Sequence, residues 1–181
     1  MIVFKIIYKG SKLKVIFRKA TVNDISNIMK IINDAKAYFK DMSIDQWQNG
    51  YPNEEVIKND IDNNNSYVLE REGEIVATAM FAIDREKTYD NIYDGKWLTK
   101  GEYAVIHRIA VDNKFKGLKL GAEIVKNAIE ICKDKGIESI KIDTHKDNNS
   151  MQKFLLNNGF KYCGVIYLED KSPRIAFEKK I

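Results

Sequence analysis

Cysteine and histidine are scarce. The 181-residue chain carries two of each, Cys132 and Cys163, His107 and His145. So few of them exclude a zinc ribbon or any other four-cysteine site, and no metal site is expected. The excess of positive charge is also small, because 30 basic residues face 26 acidic ones and leave a net charge of +4. A dedicated nucleic-acid binder usually has a larger and more clustered basic excess, so no nucleic-acid partner is expected. No stretch approaches the ~20 apolar residues of a membrane helix, so no membrane partner is expected either. The opening stretch Met1–Gly10 is apolar but short, and Lys5 interrupts it. It lacks the basic, apolar and small-residue regions of a signal peptide, and with the unpaired cysteines this points to the cytoplasm.

What remains is an ordinary globular composition. Hydrophobic residues at 44% and charged residues at 31% argue against disorder. The length suits one domain of roughly 100–200 residues. Residues 1–181 are therefore expected to form a single domain, with 1–12 as an N-terminal extension or an extra strand. A chain of this size buries about 70% of its unfolded surface and needs no disulfide or metal to fold.

The pattern along the chain alternates between periods of two and 3.6. Residues 2–8 and 13–18 flank Lys9-Gly10-Ser11-Lys12, a hairpin signal. A helix is expected from Thr21 or Asn23 to about Phe39, and a second over 53–63 after Pro52. Strands at 66–72 and 74–84 meet at Gly73, and 85–101 reads as a long polar connection with Tyr89, Tyr93 and Trp97. A strand at 102–111, a helix at 117–135 and a strand at 137–144 follow, then a helix at 148–158 and strands at 161–168 and 174–180. Gly136 and Gly159 stand where left-handed helix caps belong. Strand–helix–strand over 102–144 implies one parallel pair with a right-handed crossover, and the hairpins imply antiparallel pairing elsewhere. The expected fold is α/β (α+β mixed): one mostly antiparallel sheet with a single parallel pair and helices on both faces.

The turn after Val111 carries most of the chemistry. Lys114 and Lys116 precede Gly117 and Gly121 at the start of an amphipathic helix. A helix N-terminus offers unpaired N–H groups to a phosphate, glycine allows close backbone approach, and lysine adds charge. The same pattern also serves as a plain tight turn. It matches neither the P-loop nor the dinucleotide fingerprint, which leaves the pyrophosphate of another carrier.

These residues resemble the GNAT superfamily of acetyl-CoA-dependent N-acetyltransferases. The family's acetyl-CoA motif runs from an apolar strand ending in Val into R/Q-x-x-G-x-G/A. Ile109-Ala110-Val111 is similar to the strand end, and Lys116-Gly117-Leu118-Lys119-Leu120-Gly121 falls on the loop. A second motif looks similar in Ile142-Asp143-Thr144-His145, with Asn148 opening a helix that Asn158-Gly159-Phe160 closes. The resemblance covers about residues 14–180. Three positions depart from it. Lys116 replaces the leading Arg/Gln and can still neutralise a phosphate. Lys119 replaces the central glycine and can adopt helical dihedrals. Leu155 stands where a tyrosine often acts as general acid, and leucine has no proton to give.

The resemblance implies acetyl transfer from acetyl-CoA, a co-substrate, directly to an amine, with the parallel pair splayed to admit it. It places the cofactor against Ile109, Val111, Lys116, Gly117, Leu118, Lys119, Leu120, Gly121, Ala122 and Asn148. Main-chain groups of Ile109 would polarise the thioester, and a donor there would stabilise the tetrahedral intermediate. Asn148 serves either pantetheine or only its own helix as an N-cap. Period two puts Val105, His107, Ile109 and Val111 on one strand face. His107 is then either a general base or a packed histidine satisfied by the backbone. His145 reads as a rim residue, and the cysteines as packing. In the family the segment between the first two helices walls the acceptor pocket. Here Asp45 could attract an amine while Trp47 and Tyr51 either flank it or pin the loop. The expected partner is a small-molecule or peptide amine, with the protein a monomer or homodimer. The alternative is a module that holds CoA but has lost catalysis.

Overall fold

A computed structural model describes residues 2–8 and 11–181, with side chains from Val15 onward. The described residues form eight strands and four α-helices. The described pairings are antiparallel except one, the parallel β5–β6 pair. The fold is thus the mixed α/β class expected. Two compact units divide it: residues up to Phe81 with Arg108–Asn127, and Ala82–His107 with Ala128–Ile181.

In the first unit, β1 (Ile2–Tyr8), β2 (Ser11–Lys19), β3 (Ser66–Arg71) and β4 (Glu74–Ala82) form an antiparallel run. The expected N-terminal hairpin is the β1–β2 pair, in register from Ile2↔Phe17 to Tyr8↔Ser11. Its tip, Lys9-Gly10, lies outside the described residues. Helices α1 (Ile25–Asp41) and α2 (Glu54–Asp62) put Ile28, Ile31, Ile32 and Ile57 into one buried cluster with Val68, Ile75 and Ala110. Burial of these apolar stripes supplies most of the helices' stability, since isolated helices this short are marginal in water.

Asp24 ties β2 to the entry of α1. Its carboxylate accepts two hydrogen bonds from Arg18, at 2.8 and 2.9 Å, and one from the Thr21 amide at 2.7 Å. The Arg18 guanidinium holds the Asp24 carboxyl below the usual carboxylate range. Arg18 also donates to Glu70 on β3 at 2.7 Å. Asp24 is only 6% exposed. Arg18→Met leaves this carboxylate without its cation and should cost about 2–3 kcal/mol in urea denaturation.

In the second unit, which takes β5 only as far as His107, the strand order is β5-β6-β8-β7. The strands are β5 (Tyr103–Val111), β6 (Ser139–His145), β7 (Lys161–Tyr167) and β8 (Pro173–Lys180). The parallel pairing runs through Tyr103↔Ser139, Ala104↔Ile140 and Val105↔Lys141. Helix α4 (Asn149–Asn157) ends as expected: Gly159 has φ +81°, Phe160 N–H donates to the Leu155 carbonyl at 3.1 Å, and Gly159 N–H donates to Leu156 at 3.0 Å. That is the paired-bond cap of a left-handed glycine.

The connection 83–102 has more structure than its polar composition suggests. Tyr93 and Val165 exchange backbone hydrogen bonds at 2.8 Å each. A Cβ on Gly164 would stand 2.4 Å from the Tyr93 carbonyl oxygen, so glycine is required for that approach. Further along, fully buried Glu178 accepts from Leu98 N–H and Thr99 Oγ1, both at 2.5 Å. These ties fix Tyr89 and Trp97. Cys132 and Cys163 are buried and unpaired, and burial pushes their thiols up to about 12 and about 11. They are packing residues, and neither has the character of a nucleophile.

Candidate active site

Helix α3 (Leu120–Asp134) begins three residues later than its glycine-bracketed pattern suggests. Asp112 organises the approach to it in the first unit. Its amide donates to the Val76 carbonyl at 3.0 Å, and its carboxylate accepts the Lys114 amide at 2.8 Å. Gly117 then turns at φ +83° and Lys119 at φ +60°. The first helical bond is Glu123 N–H to the Lys119 carbonyl at 3.1 Å. The amides of Leu120, Gly121 and Ala122 therefore precede the ladder and face out of the helix N-terminus. Lys114, Lys116 and Lys119 are exposed around them. This donor set suits a phosphate group. Lys116 also stands 4.8 Å above the Tyr38 ring.

Lys119 corrects the expectation of helical dihedrals. It holds the left-handed conformation itself, where a side chain costs roughly 1–2 kcal/mol. Lys119→Gly should relieve that strain and raise stability by up to about 1 kcal/mol after the glycine's own entropy loss. Lys119→Ala should gain nothing. Thermal denaturation of the two variants checks this.

A second correction concerns β5. Arg108 has φ +55° in mid-strand, so the strict alternation expected from Val105 to Val111 is broken there. Ile109 and Val111 are half-buried, and Ala110 between them is buried. The Arg108 guanidinium donates to Asp60 on α2 at 2.6 Å and to the Tyr51 hydroxyl, and lies 5.7 Å from the Tyr51 ring. Both ionic side chains are close to buried, at 10% and 9% exposure. Sequence pattern does not reveal this pair, because 48 positions separate its members. A cation inside an apolar strand was its one visible signal.

The three residues expected at the acceptor wall divide. Tyr51 is exposed and stacks on the arginine. Trp47 packs edge-on to Phe39, 5.3 Å between centroids, and against the buried cluster, so it pins its loop. Asp45 is exposed.

In the second unit, His107 lies among acidic and aromatic groups. Its Nε2 is 3.7 Å from a Glu86 carboxylate oxygen, and its Nδ1 is 3.8 Å from Asp143. At these distances the contacts are electrostatic, and Nε2 is buried without a hydrogen-bond partner. Facing His107 first, and also accepting from Thr88 N–H and Oγ1, the Glu86 carboxyl is held down to about 2. Tyr89 donates to Asp143 at 2.7 Å. Burial, then Asp143, raise the Tyr89 phenol well above its ordinary range, so it stays protonated. Glu86 and Tyr89 come from the 85–101 connection, whose aromatics Tyr89, Tyr93 and Trp97 are a second candidate for the acceptor wall.

His145 and Asn148 stand near the end of β6. His145 Nδ1 accepts the Asp147 amide at 3.2 Å, a turn contact. Asn148 is 4% exposed and caps α4 by accepting Met151 N–H at 3.0 Å. Leu155 is fully buried as packing. Among the described residues no group of three or more His, Cys, Asp or Glu could hold a metal. Likewise no helix there is long and apolar enough to cross a membrane.

Known proteins share this fold. A GNAT-family acetyltransferase from Streptococcus agalactiae 2603 superposes with a TM-score of 0.84 and 32% identity, covering 97% of this chain and 98% of that one. An uncharacterized N-acetyltransferase, YesJ, of Bacillus subtilis (strain 168) is 23% identical over 90% of this chain and 88% of its own. S-alkylcysteine N-acetyltransferase of the same organism is 33% identical over 63 residues, 35% of each chain. Residues 30–160 match the Acetyltransferase (GNAT) family. The chain belongs to the GNAT family of acetyltransferases.

Proposed function

We propose that residues 1–181 act as one domain that transfers an acetyl group from acetyl-CoA directly to an amine of a small molecule, amino acid or peptide. The observation that carries this reading is His107, whose two ring nitrogens each face a carboxylate and whose Nε2 has no hydrogen-bond partner. A base that takes a proton becomes a cation, and Glu86 and Asp143 can share that charge. His107 is therefore assigned as the base that deprotonates the acceptor ammonium. Tyr89 holds Asp143 in place.

When bound, acetyl-CoA supplies the thioester carbonyl and a thiolate leaving group. The amides of Leu120, Gly121 and Ala122, with Lys116 and Lys119, would hold its diphosphate. Backbone groups of Ile109 and Val111 would orient the pantetheine arm, and Asn148 is retained as a contact on that arm. Leu155 gives no proton, so the departing thiolate takes its proton from water. Asp45 and Tyr51 remain the acceptor-side assignments, and Trp47 supports their loop. The protein is read as cytoplasmic, monomeric or homodimeric, with no nucleic-acid or membrane partner.

The reading is tested by thiol release from acetyl-CoA across a broad panel of amines. Amine-dependent release supports catalysis. Calorimetric binding of CoA with no release for any amine would instead favour a CoA-holding module.

A further inference from the structure

The second unit contains a cavity of about 920 Å³, sharing Tyr89 with the His107 cluster, to which the proposed acetyl transfer assigns no ligand. Its volume lies within the range of small-molecule sites. Tyr89, Trp97 and Tyr103 line it, together with Lys141 of β6. Lys141 is only 5% exposed. Its ammonium lies 3.8 Å from the Tyr103 ring centroid and 4.4 Å from that of Trp97. Among the described residues it makes no hydrogen bond, and no carboxylate comes within 4.0 Å of it.

A buried ammonium is costly unless it is paired. Two aromatic faces compensate part of that cost. The nearest acidic groups are already committed. Glu178, fully buried and opposite Lys141 in the β6–β8 register, offsets its charge through space, but its oxygens are occupied by Leu98 and Thr99, and Asp90 is paired with Arg85 at 2.7 Å. At the rim, Lys96 and Lys100 balance Asp84 and Glu102, and all four are exposed. Exposed rim charges are screened, so the ammonium of the cavity that lacks a direct carboxylate contact is that of Lys141. Burial pushes the Lys141 ammonium below its ordinary range, the direction expected of a cation lacking a direct counter-ion.

We propose that this cavity binds a small organic monocarboxylate, whose carboxylate takes the Lys141 ammonium and whose apolar body lies against Trp97 and Tyr103. One anionic group matches the single ammonium that has no direct partner. The aromatic lining sets the rest of the ligand as apolar or flat. The site does not depend on the acetyl-transfer assignment, and its test reads binding alone.

Phenylacetate and its neutral isostere phenylacetamide are the probes, titrated into the full-length protein by calorimetry. Phenylacetate should bind at least about tenfold more tightly than phenylacetamide, the effect of one charge-assisted contact. Lys141→Met removes the charge at similar volume and should lower phenylacetate affinity by about the same factor. In ¹H–¹⁵N spectra phenylacetate should shift the Trp97 indole signal and leave that of Trp47, the only other tryptophan, in place. The spectra use the unaltered chain, so they stand even if Lys141→Met folds poorly. Equal affinity for the two probes, binding unaffected by Lys141→Met in a folded variant, no binding of phenylacetate, or a shift at Trp47 alone would each overturn the proposal.

Discussion

Replacing His107 with alanine lowers kcat/KM for acetyl transfer by about a hundredfold or more, the usual contribution of a positioned base. The loss should be largest at neutral pH and shrink as rising pH deprotonates the amine without help. Glu86→Gln separates a base from a packed histidine. The Glu86 carboxyl is held down to about 2, so it is an anion at every assay pH. Removing that anion makes the protonated ring less favourable. Glu86→Gln should therefore lower kcat/KM for acetyl transfer, with the circular dichroism unchanged. A histidine that only packs predicts no such loss. The same carboxylate also links folding to pH. Its folded value is depressed, so its contribution is complete above the ordinary carboxylate value of 4.5 and is lost as pH falls toward about 2. Glu86→Gln should flatten the acid limb of the stability profile.

The second large effect is on folding. Arg108→Met should destabilise the protein by about 3 kcal/mol, because it leaves Asp60 buried without its cation. For a chain of this size that is about 6–12 °C in Tm. Most of the loss is the cost of a nearly buried carboxylate that has lost its cation, because a buried pair itself gains little over a hydrophobic one. The double variant Arg108→Met with Asp60→Leu should thus be more stable than Arg108→Met alone. A double variant at least as unstable as the sum of the singles would mean that the pair is not coupled in this way. Tyr51 loses its guanidinium contact in both, so the acceptor KM should rise in the double variant even where stability recovers.

Much of this fold is written in local signals. Gly136 and Gly159 ended their helices because left-handed caps suit a residue without a Cβ, and both have positive φ. The strand–helix–strand unit around α3 was visible from its periodicity, and with it the phosphate-suited turn. What was not visible lies in contacts between distant residues. Arg108 and Lys119 adopt left-handed dihedrals although neither is glycine, so residue type gave no sign of them. Trp47 looked as suited to a wall as to a core, and only the position of Phe39 decides between them. Glu86 and Tyr89 looked like loop residues until the ties of 83–102 to β7 and β8 set them beside His107. Lys141 sits between Ile140 and Ile142, all three buried. That apolar setting marks a strand, yet it does not tell a reader that the lysine is buried on aromatic rings.

The central claim is direct transfer of acetyl to an amine with His107 as base. The most direct test is a single turnover with isotopically labelled acetyl-CoA and an accepted amine, in which amide product, free thiol and protein-bound label are followed together. Direct transfer predicts one labelled amide per thiol, no label on the protein, and a rate that falls about a hundredfold in His107→Ala. Label on a side chain before amide appears, or a rate indifferent to His107, would contradict it.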